Sequence, residues 1–443
     1  MMRTGTALAA AGGAVAALSL FSGLVHAIPT IQARGSKFFT SEGDQWYMKG
    51  IAYQLVPDDP LINATQCDID SSLMEELGAN AIRVYHVDPD ADHDDCMQTF
   101  AEKGIWMFID LDTFDTQIEQ IDPHWNETQY DAFAKVMDTF HIYDNVAGFF
   151  VGNEVITTGN GSSAAPYVKA AARDMKAYRD DQDYRKIPIG YSAADIATLR
   201  PMLQNYFACG DDESESLDFF GLNAYEWCGD STYRVSGYAD LTANASDYNI
   251  PIFLSETGCN QVQPRDFADQ EAIFSEPEML DVWSGCIVYE WIQEANDYGL
   301  VQYGDPVDPS DPDAPPDGYF RSGTPTPVQP DFNNLKSRWE TLSPTGVQAD
   351  EYTPSLDPPP CPAFTEGSWE VDPDGVLPQV GEELPAAGAT TGSAASGSEG
   401  ASETSGGASP SSTGAAPGGL GVGRPEGVGM ALMGVLGAMV VWL

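Results

Sequence analysis

The chain has 443 residues, with 67 Asp+Glu against 20 Lys+Arg and a formal net charge of −47. That balance excludes nucleic acid as a partner, because such binding relies on neutralising phosphates with Lys and Arg. A neutral polysaccharide is compatible with it, and most of the acidity serves solubility.

Residues 1–27 read as an export signal. Arg3 supplies the positive start, Ala7 to Val25 the apolar stretch, and Val25-His26-Ala27 a small-residue cleavage site. The mature chain is expected to begin at Ile28. Four sequons fit a secreted glycoprotein, at Asn63, Asn126, Asn160 and Asn244. Seven cysteines in an exported chain imply disulfides with one thiol left over. There is no CxxC, HExxH or HxH spacing, and His86, His93, His124 and His141 are scattered, so neither a metal nor a cofactor is expected.

Strand-like apolar runs then alternate with helical patterns. The predicted strands are Tyr47–Gln54, Ala79–Val87, Ile105–Asp112, Val146–Glu154, Ile187–Ala193, Asp218–Tyr225, Ile250–Glu256 and Gly285–Trp291. Between them lie amphipathic segments such as Ile69–Leu77, Gln129–Ile142, Tyr167–Arg179 and Phe267–Val282. Alternation of this kind argues for parallel βαβ units, and eight nearly continuous apolar strands point to a (β/α)8 TIM barrel. The acidic run Asp88 to Asp95 starts like a calcium loop but has His93 and Thr99 where that loop needs Gly and Glu. It reads instead as the acidic first turn of a helix.

After Val301 the pattern changes. Asp305 to Asp317 is too rich in Pro and Asp for a strand or long helix, and Asp331 to Lys336 resumes compact structure. The catalytic domain is expected to span 28–380, with a low-complexity tether over 381–415. The segment 416–443 ends in an apolar run, Val428 to Leu443, shorter than the roughly 20 residues a span needs. With small residues and a spacer before it, this is the order of a glycolipid (GPI) anchor signal, a true membrane span being the alternative. The expectation is a secreted protein anchored to the outer face of the plasma membrane, or carried on into the cell wall.

Predicted strand ends carry Tyr53, Gln54, Tyr85, Asp110, Asp112, Asn153, Glu154, Asn223, Tyr225, Glu256 and Tyr289. Barrel active sites are assembled from the carboxyl ends of several strands. Glu154 closes the fourth predicted strand and Glu256 the seventh. Two facing carboxylates suit glycosidic cleavage, one protonating the leaving oxygen and the other attacking the anomeric carbon. A lone Asn-Glu is as readily structural, but two buried carboxylates without a task cost stability. Asn153 is placed to bind a sugar 2-OH, and the tyrosines either contact sugar or pack the barrel. Asp110 and Asp112 are expected to orient neighbours. The acidic balance suggests an optimum below neutrality.

These residues sit in motifs that, taken together, resemble the fungal β-1,3-glucanosyltransferases, glycoside hydrolase family 72. The motifs are Lys49-Gly-Ile-Ala-Tyr-Gln54, Ile82-Arg-Val-Tyr-His-Val-Asp-Pro89, Gly152-Asn-Glu154, Gly221-Leu-Asn-Ala-Tyr-Glu-Trp-Cys228, Ser255-Glu-Thr-Gly-Cys-Asn260 and Val282-Trp-Ser-Gly-Cys-Ile-Val-Tyr289. The resemblance implies Glu154 as acid/base and Glu256 as nucleophile, with substrate binding by Tyr85, Asn153, Tyr225, Tyr289 and Tyr298. It implies cleavage of an internal β-1,3-glucan bond and transfer of one part to another glucan chain. It also implies the pairs Cys67–Cys96, Cys228–Cys259 and Cys209–Cys361, the second supported by neighbouring strands six and seven. Cys286 is left over, and strand alternation turns it towards the helices as a buried thiol. The cysteine-rich glucan-binding module of some members is not expected here, with only Cys361 after Cys286. Two other readings stand beside this one: a hydrolytic endo-β-glucanase, and an inert glucan-binding wall protein.

Overall fold

The structure, a computed structural model, describes residues 28–55 and 59–385. The expected export signal (1–27), the expected tether (381–415) apart from 381–385, and the expected anchor signal (416–443) lie outside the described residues.

A hairpin comes first, β1 (Ile31–Arg34) against β2 (Lys37–Thr40). Eight parallel strands follow: β3 (Met48–Ala52), β4 (Ala81–Val84), β5 (Trp106–Asp110), β6 (Val146–Asn153), β7 (Ile189–Ala194), β8 (Phe219–Asn223), β9 (Ile252–Thr257) and β10 (Trp283–Val288). They pair in chain order and β10 closes on β3, giving a closed barrel. Each overlaps its predicted counterpart. The last is shifted towards its start, which leaves Tyr289 and Trp291 beyond the strand.

The hairpin was not legible in the sequence, and its purpose is the barrel floor. Phe38 is fully buried, with its ring 6.2 Å from Phe108, 6.0 Å from Phe219 and 6.1 Å from Phe253. With Phe150 these rings fill the lower barrel. The amino-terminal mouth is thereby plugged with apolar surface, and polar side chains are confined to the opposite end.

Helices wrap the barrel where the amphipathic pattern placed them. Ala64–Leu77 begins at Asn63, whose side chain accepts from the Gln66 amide, and stops at Gly78 in the left-handed region. Glu127–Phe140 begins with a capping box between Asn126 and Gln129. Both cap asparagines belong to sequons. The cap engages the amide oxygen and not the nitrogen that would carry a sugar. Asp94–Glu102 starts with Asp94 and Asp95 in its first turn, as the acidic run suggested. The expected helix over 267–282 is instead two, Asp269–Ser275 and Pro277–Val282. Pro277 lacks a donor and pushes Glu276 into extended backbone, which separates them.

Beyond the barrel, Val301–Gln302 (β11) pairs with Thr326–Pro327 (β12), and no helix or strand forms over 305–317. A helix at Asp331–Thr341 returns to the barrel, where Trp339 Nε1 donates to Gln270. Three disulfides form, Cys67–Cys96, Cys209–Cys361 and Cys228–Cys259. Cys286 is the free cysteine, fully buried, its thiol 3.2 Å from Gln270 Oε1 on the helix layer.

Candidate active site

Above the phenylalanine floor the barrel interior turns polar. Arg83, on β4, is fully buried and lies over the Phe150 ring at 4.2 Å. Its guanidinium donates to both oxygens of Asp110 (3.0 and 2.7 Å), to Ser192 Oγ at 3.0 Å and to Asn153 Oδ1 at 3.1 Å. Burial alone favours the neutral form of each partner. Asp110 and the neighbouring Tyr85 and Glu256 nonetheless hold Arg83 above its ordinary value, so the pair stands ionised.

A second group ties the strands together. Ser192 and Ser255 both donate to Asn223 Oδ1, at 2.9 and 2.8 Å. With its oxygen so occupied, the Asn223 amide can turn only its nitrogen to the mouth. Nδ2 donates to Asn153 Oδ1 at 3.1 Å and to Glu154 Oε1 at 2.9 Å.

Strict alternation would place Glu256 on the same side as Leu254, in the outer layer. The register shifts between β8 and β9, and again between β9 and β10. Such bulges turn two successive side chains to one face. Ser255 and Glu256 therefore both look inward, while Thr257 bonds Asp269 in the helix layer. A matching irregularity between Phe150 and Asn153 precedes Glu154. Glu154 itself has φ +50°, an unfavourable conformation for a side chain with a Cβ. The strain is borne at the residue that presents its carboxylate to the mouth.

Glu256 has an all-donor shell. Tyr85 donates to Oε1 at 2.9 Å, Tyr225 to Oε2 at 2.8 Å, and Arg83 Nη1 lies 3.7 Å from Oε1. Burial and then the charge of Glu154 push Glu256 up to about 7, against the pull of Arg83 and the two phenols. The donors suit a carboxylate and the upward shift suits a proton. The two phenols and Arg83 thus favour the ionised form that burial and the charge of Glu154 oppose.

Tyr289 and Tyr298 form an edge beside this centre. Tyr298 meets Tyr225 at 5.7 Å and Tyr289 at 5.4 Å, both in T-shaped contact. Gln54 donates to the Tyr289 hydroxyl at 3.0 Å. Every sugar-site residue expected from the sequence is thus at one mouth. Arg83, Ser192 and Ser255 had been given no role, and Glu290 had not been singled out at all. Glu290 is fully buried, pushed up to about 8 by burial, and bonded to Asn296 and Gln54. A polar side chain in the inward phase of an apolar strand was the available cue for Arg83 and Ser192. Asp112 is brought near the same rim, with Oδ1 buried and without a hydrogen-bond partner among the described residues.

Comparison with known proteins matches residues 21–313 to the family described as Glucanosyltransferase, glycoside hydrolase family 72. The chain is 42% identical over 364 residues to Protein EPD1 of Candida maltosa, covering 80% of this chain and 62% of that protein. It is 40% identical over 353 residues to the 1,3-beta-glucanosyltransferase gas2 of Schizosaccharomyces pombe, covering 76% and 73%. The structure of Saccharomyces cerevisiae Gas2p in complex with laminaritriose and laminaritetraose superposes with TM-score 0.71 at 38% identity, over 80% of this chain and 77% of that one. The chain therefore spans about three fifths to three quarters of the length of these relatives. With its closed barrel and its paired glutamates on the fourth and seventh barrel strands, the chain belongs to glycoside hydrolase family 72, the glucanosyltransferases.

Proposed function

We propose that this chain is a retaining β-1,3-glucanosyltransferase. The observation that carries the reading is the unequal setting of the two glutamates at one barrel mouth. Glu256 has both oxygens engaged by donors, whereas Glu154 has one oxygen held by Asn223 and the other without a donor among the described residues. Glu256 attacks the anomeric carbon, and Tyr85, Tyr225 and Arg83 stabilise its charge and aim it. Glu154 protonates the departing glycosidic oxygen, so the reducing-end piece leaves and the remainder stays as an ester on Glu256. Glu154, now ionised, takes the proton of an incoming sugar hydroxyl, whose oxygen displaces Glu256 and forms the new glycosidic bond. Asn153 keeps its amide oxygen on Arg83 and Asn223, which orients the nitrogen as the donor towards sugar. The names of the relatives and the laminari-oligosaccharides in the Gas2p complex support β-1,3-glucan as donor and acceptor.

Incubation with a reduced laminari-oligosaccharide tests this. Products longer than the substrate are expected, and shorter ones alone would leave a hydrolytic endo-β-glucanase. We further propose that the protein is held on the outer face of the plasma membrane by a GPI anchor, on the strength of the 416–443 segment. Release from cells by a phosphatidylinositol-specific phospholipase is expected, and retention after treatment would refute it.

A further inference from the structure

Strand β6 stops at Asn153, and Glu154, with φ +50°, opens the turn that leads to the short helical turn Asn160–Ala164. A residue in that region keeps its conformation only where its surroundings leave no easier one. Over 154–158 the backbone amides are taken up by other elements. Glu154 donates to the Ser192 carbonyl at 2.8 Å and Ile156 to the Tyr191 hydroxyl at 3.2 Å, both partners on β7. The amides of Thr157 and Thr158 then converge on one atom, the side-chain oxygen of Gln120, at 2.7 and 3.0 Å.

Gln120 comes from the segment between β5 and the helix Glu127–Phe140. Its Nε2 donates to Thr157 Oγ1 at 3.1 Å, so the amide oxygen serves the two N–H groups and the nitrogen a hydroxyl. Gly161 packs on the same side chain, and a Cβ there would overlap Oε1 and Cδ of Gln120. The turn is held by the carboxy-terminal segment as well. The fully buried Ser162 hydroxyl accepts from the Glu370 amide at 2.7 Å, and Gly159 lies against the Gly367 carbonyl. The hydrogen bonds of Gln120 go to this turn and not to either glutamate.

We propose that Gln120 is a positioning residue for the reaction: by holding the Thr157 and Thr158 amides it keeps Glu154 in the backbone conformation that aims its carboxylate at the glycosidic oxygen. The proposal rests on the reading of Glu154 as acid/base given above. Without the Gln120 oxygen the turn can relax towards ordinary backbone angles, and the carboxylate moves with it. A reacting group misplaced by about 1 Å costs about a hundred-fold in rate. Glucan binding by the tyrosine edge comes from other strands and is left in place.

The test separates the acid from the nucleophile. Laminari-oligosaccharide, whose departing sugar oxygen needs a proton, is compared with a dinitrophenyl laminari-oligoside, whose leaving group does not. Gln120→Ala should lower kcat on the oligosaccharide by about ten- to a hundred-fold with KM within about two-fold. The first-turnover release of dinitrophenolate, which reports attack by Glu256, should stay within about three-fold of wild type. Gln120→Glu keeps an acceptor for both amides and should restore most of the turnover. Gly161→Ala displaces the Gln120 side chain and should reproduce the pattern, and the two changes together should not add. Equal losses on both substrates, or wild-type turnover of oligosaccharide by Gln120→Ala, would overturn the proposal. Glu154→Gln is run alongside. Equal losses on both substrates there would overturn the reading of Glu154 and the proposal with it. If Glu154→Gln spares dinitrophenolate release and Gln120→Ala does not, the proposal alone falls.

Discussion

At the scale of single residues, the mouth is built so that Glu256 has donors on both oxygens, while among the described residues Glu154 has one on a single oxygen. Glu154→Gln keeps the shape and the Asn223 contact but removes the acid. Turnover of unactivated glucan should fall by about 10²- to 10⁴-fold, with an unchanged melting temperature. Activity near wild type would take Glu154 out of the mechanism. Tyr225→Phe removes one of two phenol donors from Glu256, a bond to a charged group worth about 1.5–3 kcal/mol. A fall in kcat of about ten- to a hundred-fold is expected. Since the lost donor favoured the ionised form, Glu256 should also hold its proton to higher pH. The acid limb of the pH–rate profile, which reports ionisation of Glu256, should move upward, and a downward move would contradict the assignment. The placement of Glu154 and Glu256 at the barrel mouth was legible because each ends an apolar run. That of Arg83 was not, since a lone Arg in a strand is uninformative until eight strands close around it.

At the scale of elements, the Asp/Pro segment after β11 is pinned to the loop that carries Tyr298. Arg321 Nη2 lies 2.7 Å from Glu294 and 2.6 Å from Asp317, and Nη1 donates to Asp317 at 2.8 Å. Asn296, in the same loop, donates to the buried Glu290 at 2.7 Å. Arg321 therefore acts on the mouth as a positioning residue, through Tyr298. Arg321→Ala should raise KM for glucan by about five- to ten-fold through the loosened loop, with a smaller change in kcat. Partial rescue by Arg321→Lys is expected, and a kcat loss without a KM change would contradict the positioning role. Helix positions were readable from periodicity and from caps such as Asn126 with Gln129. The break at Pro277 was readable too, but the periodic apolar pattern on both sides masked it.

At the scale of the whole molecule, several buried acids keep their protons to unusually high pH. Burial pushes Glu256 and Asp112 up to about 7, Glu290 to about 8, Glu226 to about 9 and Asp269 to about 6. In the unfolded chain these groups ionise near their ordinary values of about 4. Between about pH 4 and these raised values the folded state binds more protons than the unfolded one. Their contribution to stability is thus complete below about pH 4 and lost as pH rises through 6 to 9. His86 and, more weakly, His141 work in the opposite sense, losing stability as pH falls below their ordinary value, but they are two groups against these five. Self-repulsion from the net charge of −47 also grows with pH. The melting temperature should fall by at least about 5 °C between pH 5 and pH 8. A rise over that interval would mean that these carboxyls ionise freely in the fold.

Taken by itself, the sequence determined the eight barrel strands, and which strand ends carry carboxylates, amides and phenols. Apolar periodicity and turn chemistry are local, and a barrel of consecutive strands needs little more. What only the tertiary structure decided is where those side chains point. Ser255 and Glu256 share one face because the register slips between neighbouring strands, and pairing across strands is invisible along one of them. The Arg83–Asp110 pair and the Asn223 relay likewise join residues from six strands. The Phe38 floor exists because the amino-terminal hairpin meets strands distant from it in sequence at one end of the closed barrel.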